Sequence, residues 1–472
     1  MIDRKYIYKM YTNSGTLIRI KNSYKTLMKT VSSFLKLFLF TVLSCSILLS
    51  CSGLSNSQSI SSYGTIASQS PKSIKILRKA MYNDYSGKTA QWWADNIDVY
   101  FGRSFDNSLV NEIKTIRSDV VCLIYRNGKF VKESDNEYSI FHNNGWLMKT
   151  ADGHEIKHSE YSGGWYLIDI ANPAVHAWLG DKIKSLVSAA QWDGVQFDDS
   201  WAAKISTYGY NCEDATTGEG PPLDWAVEPV SPYLGHKITL AELNDAEIDC
   251  MAKIREKLEE LGSGKILQFN GIYRGWGGSG FWDTQDACED CLKNSGADSF
   301  SSEAAYGQTG GDWYTESDWK ESVDFHIWLN TNWLSDSPTY GDYKPNWWLP
   351  TTYCKSPPSG TVEDYAMYVF CSTALGLETD RVGLRIGNMI DQSWAQEMYA
   401  TDFGSPLGNY YMVSGTHVYA KDFSKVKVLV NPTTSSYQVP IEGDYTLDGQ
   451  PVTSPLTVAP HTGMILVNEH PI

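Results

Sequence analysis

The sequence predicts an α/β chain, a (β/α)8 TIM barrel followed by a small all-β sandwich, and three observations carry that expectation. From Ser73 to about Pro406 short apolar runs alternate with helical stretches, the rhythm of a parallel sheet. At 472 residues the chain is too long for one ordinary domain and has room for a barrel of roughly 250 to 330 residues plus a smaller unit. After Pro406 the helical patterns stop, and short strands separated by turn residues such as Asp448-Gly449 take over.

Residues 1–50 read as an address rather than a fold. Phe34 to Ser50 is an apolar run with Lys29 and Lys36 near its start, the layout of a signal peptide, with an uncleaved signal anchor as the alternative. Leu48-Leu49-Ser50-Cys51 has the pattern of a bacterial lipobox, which predicts lipidation at Cys51 and anchoring at the membrane, facing the periplasm or the cell exterior. Val42-Leu43-Ser44-Cys45 is a second match. Cys51 is preferred because a fuller apolar region precedes it and a Ser-rich tether, residues 51–72, follows it. Met28-Lys29 makes the more typical start, so residues 1–27 read as a misassigned extension.

The barrel is expected over residues 73–406. Ile74 to Ala80, Ile97 to Gly102 and Val120 to Arg126 are strand-like, with a helix around Leu109 to Ile116. Trp165 to Ile170 reads as the next strand, followed by Asn172 as a helix N-cap with Pro173 in the first turn. That helix places Val175, Trp178, Leu179, Ile183, Leu186, Val187 and Ala190 on one face, to pack on the barrel. The strand from Asp193 ends in Asp198 and Asp199. A polar, Pro-rich insertion from Tyr208 to Pro232 then precedes a long helix, Leu240 to Leu261, ended by Gly262. Lys265 to Asn270, Ala297 to Tyr306, Asn346 to Cys354 and Val382 to Ile386 read as the remaining strands, with a helix over Val362 to Leu375. Residues 407–472 supply the sandwich: His417 to Phe423, Val426 to Val430, Tyr437 to Pro440, Asp444 to Asp448 and Met464 to Val467.

A net charge of −16 leaves no basic stripe to displace counterions, which excludes nucleic acid as a partner and favours a neutral substrate. The 17 Trp and 29 Tyr exceed what core packing usually requires and suit sugar stacking. Cysteines number 9, so at least one thiol stays free; Cys122 and Cys371 lie in apolar patterns as buried small hydrophobes, and Cys288-Glu-Asp-Cys291 is read as a local disulfide or plain thiols.

Glycosidic hydrolysis needs one carboxylate facing the anomeric carbon and one protonated carboxyl at the leaving oxygen, both on rigid elements across a cleft. Asp198 and Glu303, near the ends of two expected strands, are the candidate pair, and the mechanism is expected to retain configuration, with Asp198 as nucleophile and Glu303 as acid and then base. Asp199 is the secondary catalytic candidate; a solvated turn or helix cap is the alternative reading of an Asp-Asp pair. Asp169, Arg126 and Asn270 also end expected strands and are candidate subsite residues, with structural ion pairing equally open for Arg126. Trp201, Tyr273 and Trp276 bring aromatic rings to the same rim.

Asp169-Ile-Ala-Asn172-Pro173 and Asp193-Gly194-Val-Gln-Phe-Asp198 resemble the Asp-x-x-Asn-Pro turn and Asp-Gly-x-x-x-Asp pattern of the hypothetical glycoside hydrolases of family 15 and their relatives. Val418 to Phe423 with Leu429-Val430-Asn431-Pro432 is similar to the β-domain that follows such barrels. The resemblance spans about Ser73 to Val467 and is more specific for architecture than for substrate. More distantly the chain resembles α-retaining barrel hydrolases, which implies an Asp nucleophile on the fourth strand, here Asp198, and a carboxylic acid from a later strand.

Two motifs compete with this reading. His154-Glu155-Ile156-Lys157-His158 matches the zinc-protease pattern, which works only on a helix; Asp152-Gly153 and Ser162-Gly163-Gly164 frame a hairpin or loop instead. Gly275 to Gly280 matches a dinucleotide fingerprint by spacing, yet no helix pattern follows. Neither a metal nor a cofactor is expected. The reading is an exported, lipid-anchored glycoside hydrolase acting on a polysaccharide or oligosaccharide, with a non-catalytic sugar-binding lipoprotein and a metalloprotease as the rival classes.

Overall fold

Eight parallel strands close into a barrel in the computed structural model, which describes residues 78–83, 87–158, 163–199, 212–218, 229–271, 285–303, 305–306, 313–334, 347–352, 357, 359–387 and 390–471. The strands are β1 (Arg78–Tyr82), β2 (Val99–Gly102), β3 (Val121–Asn127), β4 (Gly194–Asp198), β5 (Ile266–Asn270), β6 (Ser299–Glu303), β7 (Trp347–Thr352) and β8 (Gly383–Ile386). Each pairs with its sequence neighbour, and β8 returns to β1. Helices α1 (Ala90–Asn96), α2 (Asn107–Ile116), α3 (Asn136–Asn144), α4 (Pro173–Ser188), α5 (Leu240–Glu259), α6 (Gln285–Asn294), α7 (Glu316–Leu329), α8 (Val362–Leu375) and α9 (Ser393–Ala400) occupy the connections. The period of two along a strand divides their side chains between two cores. Ala80, Val99, Phe101 and Leu123 fill the barrel interior, whereas Met81, Tyr100, Ile124, Val195, Phe197, Leu267 and Phe300 face the helices.

The amino-terminal ends of the strands are tied by one repeated device. Asp98, Asp193 and Asp298 stand immediately before β2, β4 and β6. The N–H of each donates to a carbonyl of the preceding strand, on Lys79, Cys122 and Leu267 respectively, at 2.8 to 2.9 Å. The carboxylate of each accepts the N–H of that same residue at 2.8 to 2.9 Å. A basic side chain, Arg117, Lys114 or Arg255, neutralises each clasp. The clasp explains the first part of the Asp-Gly-x-x-x-Asp pattern. Gly194 explains the second, because a Cβ there would lie 1.9 Å from the carbonyl oxygen of Ile266 on β5.

The chain between β3 and β4 is the main departure from the expected rhythm. Trp165–Leu167 does not join the barrel but the middle of a four-stranded antiparallel sheet, ordered Phe130–Lys132, Trp165–Leu167, Ile156–His158, Cys212–Asp214. An apolar strand followed by a capped helix has the local look of a barrel unit, and the Asn172 cap is indeed made, its side chain accepting from the Ala174 N–H at 3.0 Å. Pairing partners are chosen by tertiary context, and here they come from an insertion. Trp201, Tyr273, Trp276, Cys45, Cys51, Cys354, the 275–280 glycine loop and the Phe34–Ser50 run all lie outside the described residues. Among the described residues no helix is long and apolar enough to cross a membrane. Cys122, Cys212, Cys250, Cys291 and Cys371 are free, buried thiols, and Cys288 is likewise buried.

The C-terminal unit is a six-stranded antiparallel sheet, ordered Tyr411–Met412, Tyr419–Asp422, Val426–Asn431, Thr462–Asn468, Tyr445–Leu447, Gln450–Pro451. One face, with Tyr419, Phe423, Val428 and Val430, merges with the barrel's outer core. The other, with Ala420, Leu429 and Leu466, packs on a two-stranded sheet, Tyr437–Val439 with Leu456–Val458. Lys421 crosses the junction: its buried Nζ donates to the Leu375 and Leu377 carbonyls at 3.2 and 3.0 Å and pairs with Glu378 at 2.6 Å, capping the end of α8.

Candidate active site

Asp198 closes β4 at the carboxyl-terminal mouth of the barrel, and register carries its level across the wall. Phe197 is opposite Phe269, which sets Asp198 beside Asn270, and Asn270 is opposite Ser301 on β6. Asp198 Oδ1 accepts from Asn270 Nδ2 at 2.8 Å, and Asn270 Oδ1 accepts from Ser301 Oγ at 2.9 Å. The acceptor-only carboxylate selects the amide's NH2 end, and the serine hydroxyl braces the amide from the other side. Gln196, Gln268 and Ser299, buried one level below, give the interior here a polar lining.

Asp199 leaves the strand with φ of 56°, in the left-handed region that Asp tolerates better than most residues. This turn makes Asp199 a second carboxylate at the mouth rather than a residue on the outer wall. Its Oδ2 accepts from Asn127 Nδ2 at 2.6 Å, and Asn127 Oδ1 accepts the Lys129 and Phe130 N–H groups at 2.9 and 2.8 Å. Adjacent aspartates are thus each held by an asparagine braced from behind, Asn127 by backbone N–H groups that fix its orientation and Asn270 by a serine hydroxyl.

Both aspartates line a cleft of about 950 Å³ that runs over the end of β3 to α4. Phe105, 63% exposed, Tyr125 and Trp165 offer aromatic surface in it. Its cations are Arg103, Arg126, Lys132 and Lys182, and its carboxylates are Asp135, Glu137, Asp198 and Asp199, so the lining is balanced in charge. Glu137 holds its carboxyl below the usual range, because Arg126 at 2.6 Å and Lys182 at 3.0 Å outweigh its burial.

The remaining expected site residues, Arg126, Asp169 and Glu303, differ in their placement. Arg126 is one position short of the end of β3, and a one-residue step turns a side chain to the other face. It lines the cleft from the side of β3 that faces α4, paired with Glu137 and 5.9 Å from the Trp178 ring, and Asn127 takes the inward place. Asp169 is wholly buried away from the cleft; its Oδ2 accepts from Ser231 Oγ at 2.9 Å and the Tyr233 N–H at 3.1 Å, and burial pushes its carboxyl up. It anchors the insertion. Glu303 ends β6, two positions beyond Ser301, and its side chain lies outside the described atoms. Two strand spacings sideways and two residues along put its Cα about 12 Å from that of Asp198, a span that an Asp and a Glu side chain can narrow from both ends.

His154, Glu155 and His158 lie on an extended segment, not a helix. At about 3.3 Å per residue the two histidines are separated by roughly 13 Å, too far to share an ion. His154 Nδ1 instead meets Asp214 at 2.8 Å, Glu155 binds His142 and Tyr138, and His158 is buried edge-on to Phe130. Among the described residues no group of three or more His, Cys, Asp or Glu side chains is arranged to hold a metal ion.

Asn127, Phe105 and Trp165 were not singled out by sequence. Period-two alternation with the correct end of β3 finds Asn127; nothing local marks Phe105 or Trp165 as cleft residues.

No protein-family model and no curated protein matches the sequence. Solved structures similar to the chain include Amy13B of Eubacterium rectale, at 9% identity and a TM-score of 0.46, covering 85% of this chain and 97% of that one. An α-amylase of Anoxybacillus matches at 12% identity and a TM-score of 0.39, covering 83% and 97%. The GH31 dextranase of Flavobacterium johnsoniae, solved with glucose, matches at 9% and 0.44, covering 85% and 52%. These neighbours are glycoside hydrolases, and the likeness to them is one of fold.

Proposed function

We propose that the chain is a glycoside hydrolase acting on a neutral oligosaccharide or polysaccharide. The observation that carries this reading is the pair Asp198 and Asp199, each fixed by an oriented asparagine amide, at the mouth of a charge-balanced cleft with Phe105, Tyr125 and Trp165 in its wall. Aromatic faces suit the apolar C–H faces of pyranose rings, and balanced charge suits a neutral polyol. Asp198, braced on a rigid strand, is the nucleophile that attacks the anomeric carbon and forms the glycosyl-enzyme. Glu303 is the acid that protonates the departing oxygen and then the base that takes a proton from the attacking water, which makes the reaction retaining. Asp199 and Asn270 bind or brace at the same centre.

The wider setting is part of the same proposal. The Phe34–Ser50 run directs export, and Cys51 carries the lipid that holds the protein at the outer side of a bacterial membrane. Mass spectrometry of the mature N-terminus reads this directly: residues upstream of Cys51 in the mature protein would refute that choice of site, and a start at Cys45 would move the anchor without changing the localisation.

The deciding experiment is reducing-end release from a panel of neutral polysaccharides, run with the intact protein and with Asp198→Asn and Glu303→Gln. Release from at least one glycan, abolished in Asp198→Asn, is expected. Glu303→Gln should keep most turnover on an aryl glycoside with an activated leaving group and lose it on the glycan. Equal activity of wild type and Asp198→Asn defeats the catalytic assignment; glycan binding without release by the wild type points instead to a sugar-binding protein.

A further inference from the structure

The small sheet of the C-terminal sandwich is too narrow for the large one. Two strands, Tyr437–Val439 and Leu456–Val458, cover part of the outward face of a six-stranded sheet. On that face register brings together Tyr411, Asp422, Lys427, Tyr445 and Asn468: Asp422 is directly opposite Lys427, Tyr445 is opposite Asn468, and Tyr411 is on the adjoining edge strand opposite Ala420. The uncovered end forms a depression of about 320 Å³ lined by Leu407, Asn409, Tyr411, Asp422, Tyr445 and Asn468, with Leu407 54% and Tyr411 42% exposed.

Its polar groups are held in place. Tyr411 donates its hydroxyl proton to Asp422 Oδ2 at 2.9 Å and accepts from Lys427 Nζ at 2.9 Å, while Lys427 also pairs with the other Asp422 oxygen. The ammonium lies 5.6 Å from the Tyr411 ring centre and 6.0 Å from that of Tyr445. The tyrosine ring is pinned at its hydroxyl end and the one cation is matched by the one carboxylate, so the site offers an aromatic platform beside fixed, electrically neutral hydrogen-bonding groups. An anion finds no spare charge there. A protein partner needs about 800 Å² per side, far more than this depression provides.

We propose that this end of the C-terminal sheet is a second carbohydrate site, separate from the barrel cleft, which takes one or two units of a neutral glycan with a pyranose face on Tyr411 and hydroxyls on Asn409, Asn468 and the Asp422–Lys427 pair. The proposal stands apart from the catalytic reading, since binding is measured in a chain carrying Asp198→Asn.

The test is affinity electrophoresis of the Asp198→Asn chain through gels containing starch, dextran, galactomannan or heparin, with Tyr411→Ala, Tyr411→Phe, Asn409→Ala and Trp165→Ala added singly. The expected result is retardation by at least one neutral glycan and not by heparin. Affinity should fall about tenfold in Tyr411→Ala and by a smaller factor in Asn409→Ala, and be largely kept in Tyr411→Phe, whose ring still stacks. In Trp165→Ala the Tyr411-dependent part should persist. Retardation that survives Tyr411→Ala and Asn409→Ala but vanishes in Trp165→Ala assigns all binding to the cleft and overturns the proposal, as does retardation by heparin alone or by no glycan. If Tyr411→Ala fails to fold, Asn409→Ala, on an exposed loop, decides the matter.

Discussion

Asn270 cannot turn its amide over without setting its carbonyl oxygen against the Asp198 carboxylate, whereas the Ser301 hydroxyl can meet either end. Removing it frees the carboxylate to rotate. Asn270→Ala is expected to lower kcat/KM about 10- to 100-fold, mostly in kcat, as the loss of one hydrogen bond to a charged group predicts. Asn270→Asp keeps the serine contact but sets a like charge against Asp198, which raises the pH at which Asp198 ionises. The acidic limb of the kcat/KM profile should then move to higher pH; a profile that stays in place while activity falls would mean Asn270 acts on something other than Asp198. Asp198 and Asn270 were legible in the sequence because both end apolar runs long enough to locate. Asn127 was not, because the reading ended its strand one residue early, at Arg126, and with a period of two that error selects the wrong face.

Whole strands and helices divide in the same way between what is locally encoded and what is not. Buried parallel strands read as apolar runs, and all eight barrel strands fall within or overlap the expected strand segments, although β6, Ser-Phe-Ser-Ser-Glu, is mostly polar. Trp165–Leu167 reads alike but pairs in the insertion, since no local signal names a strand's partner. The short polar helix α3 carries too little periodicity to stand out. Amphipathic α5 hides a different feature: Glu247 on its buried face has neither carboxyl oxygen hydrogen-bonded. Burial, with Asp199 adding to it and Lys129 opposing, pushes its carboxyl up to about 8. Between about pH 4.5 and 8 the folded protein therefore holds a proton that the unfolded chain has released, and stability falls as pH rises through that window. Glu247→Gln removes the dependence. Its melting temperature should match the wild type near pH 4 and exceed it at pH 8, by a free energy on the order of 4 kcal/mol, with buried Lys129 common to both proteins. Parallel melting curves across that range would show that Glu247 ionises freely in the fold.

The described barrel and C-terminal sheet share one apolar core across their junction. The capping of α8 by Lys421 is its central polar contact, with Trp313 stacked on His461 at 4.4 Å and Glu316 receiving His417 and Tyr419 around it. Lys421→Met leaves two carbonyls and a carboxylate facing an apolar chain, a loss of roughly 3 to 5 kcal/mol by comparison with other broken buried pairs. Calorimetry should show the single transition of the wild type lowered by on the order of 10 °C and split, the smaller unit melting first. A single, unshifted transition would mean the apolar packing alone couples the two.

The aspartate clasps make the barrel wall behave like staves rather than a seamless tube. Each binds an odd strand to the even strand after it, β1 to β2, β3 to β4 and β5 to β6, and among the described residues none binds β4 to β5. Between those two staves runs an ordinary ladder, narrowed at its base by Gly194 and bridged at its mouth by the Asn270–Asp198 contact. The candidate nucleophile and the carboxyl carried by β6 thus ride on different staves. In the proposed reaction, the gap on which retention or inversion depends therefore spans this seam between two staves as well as the two side chains.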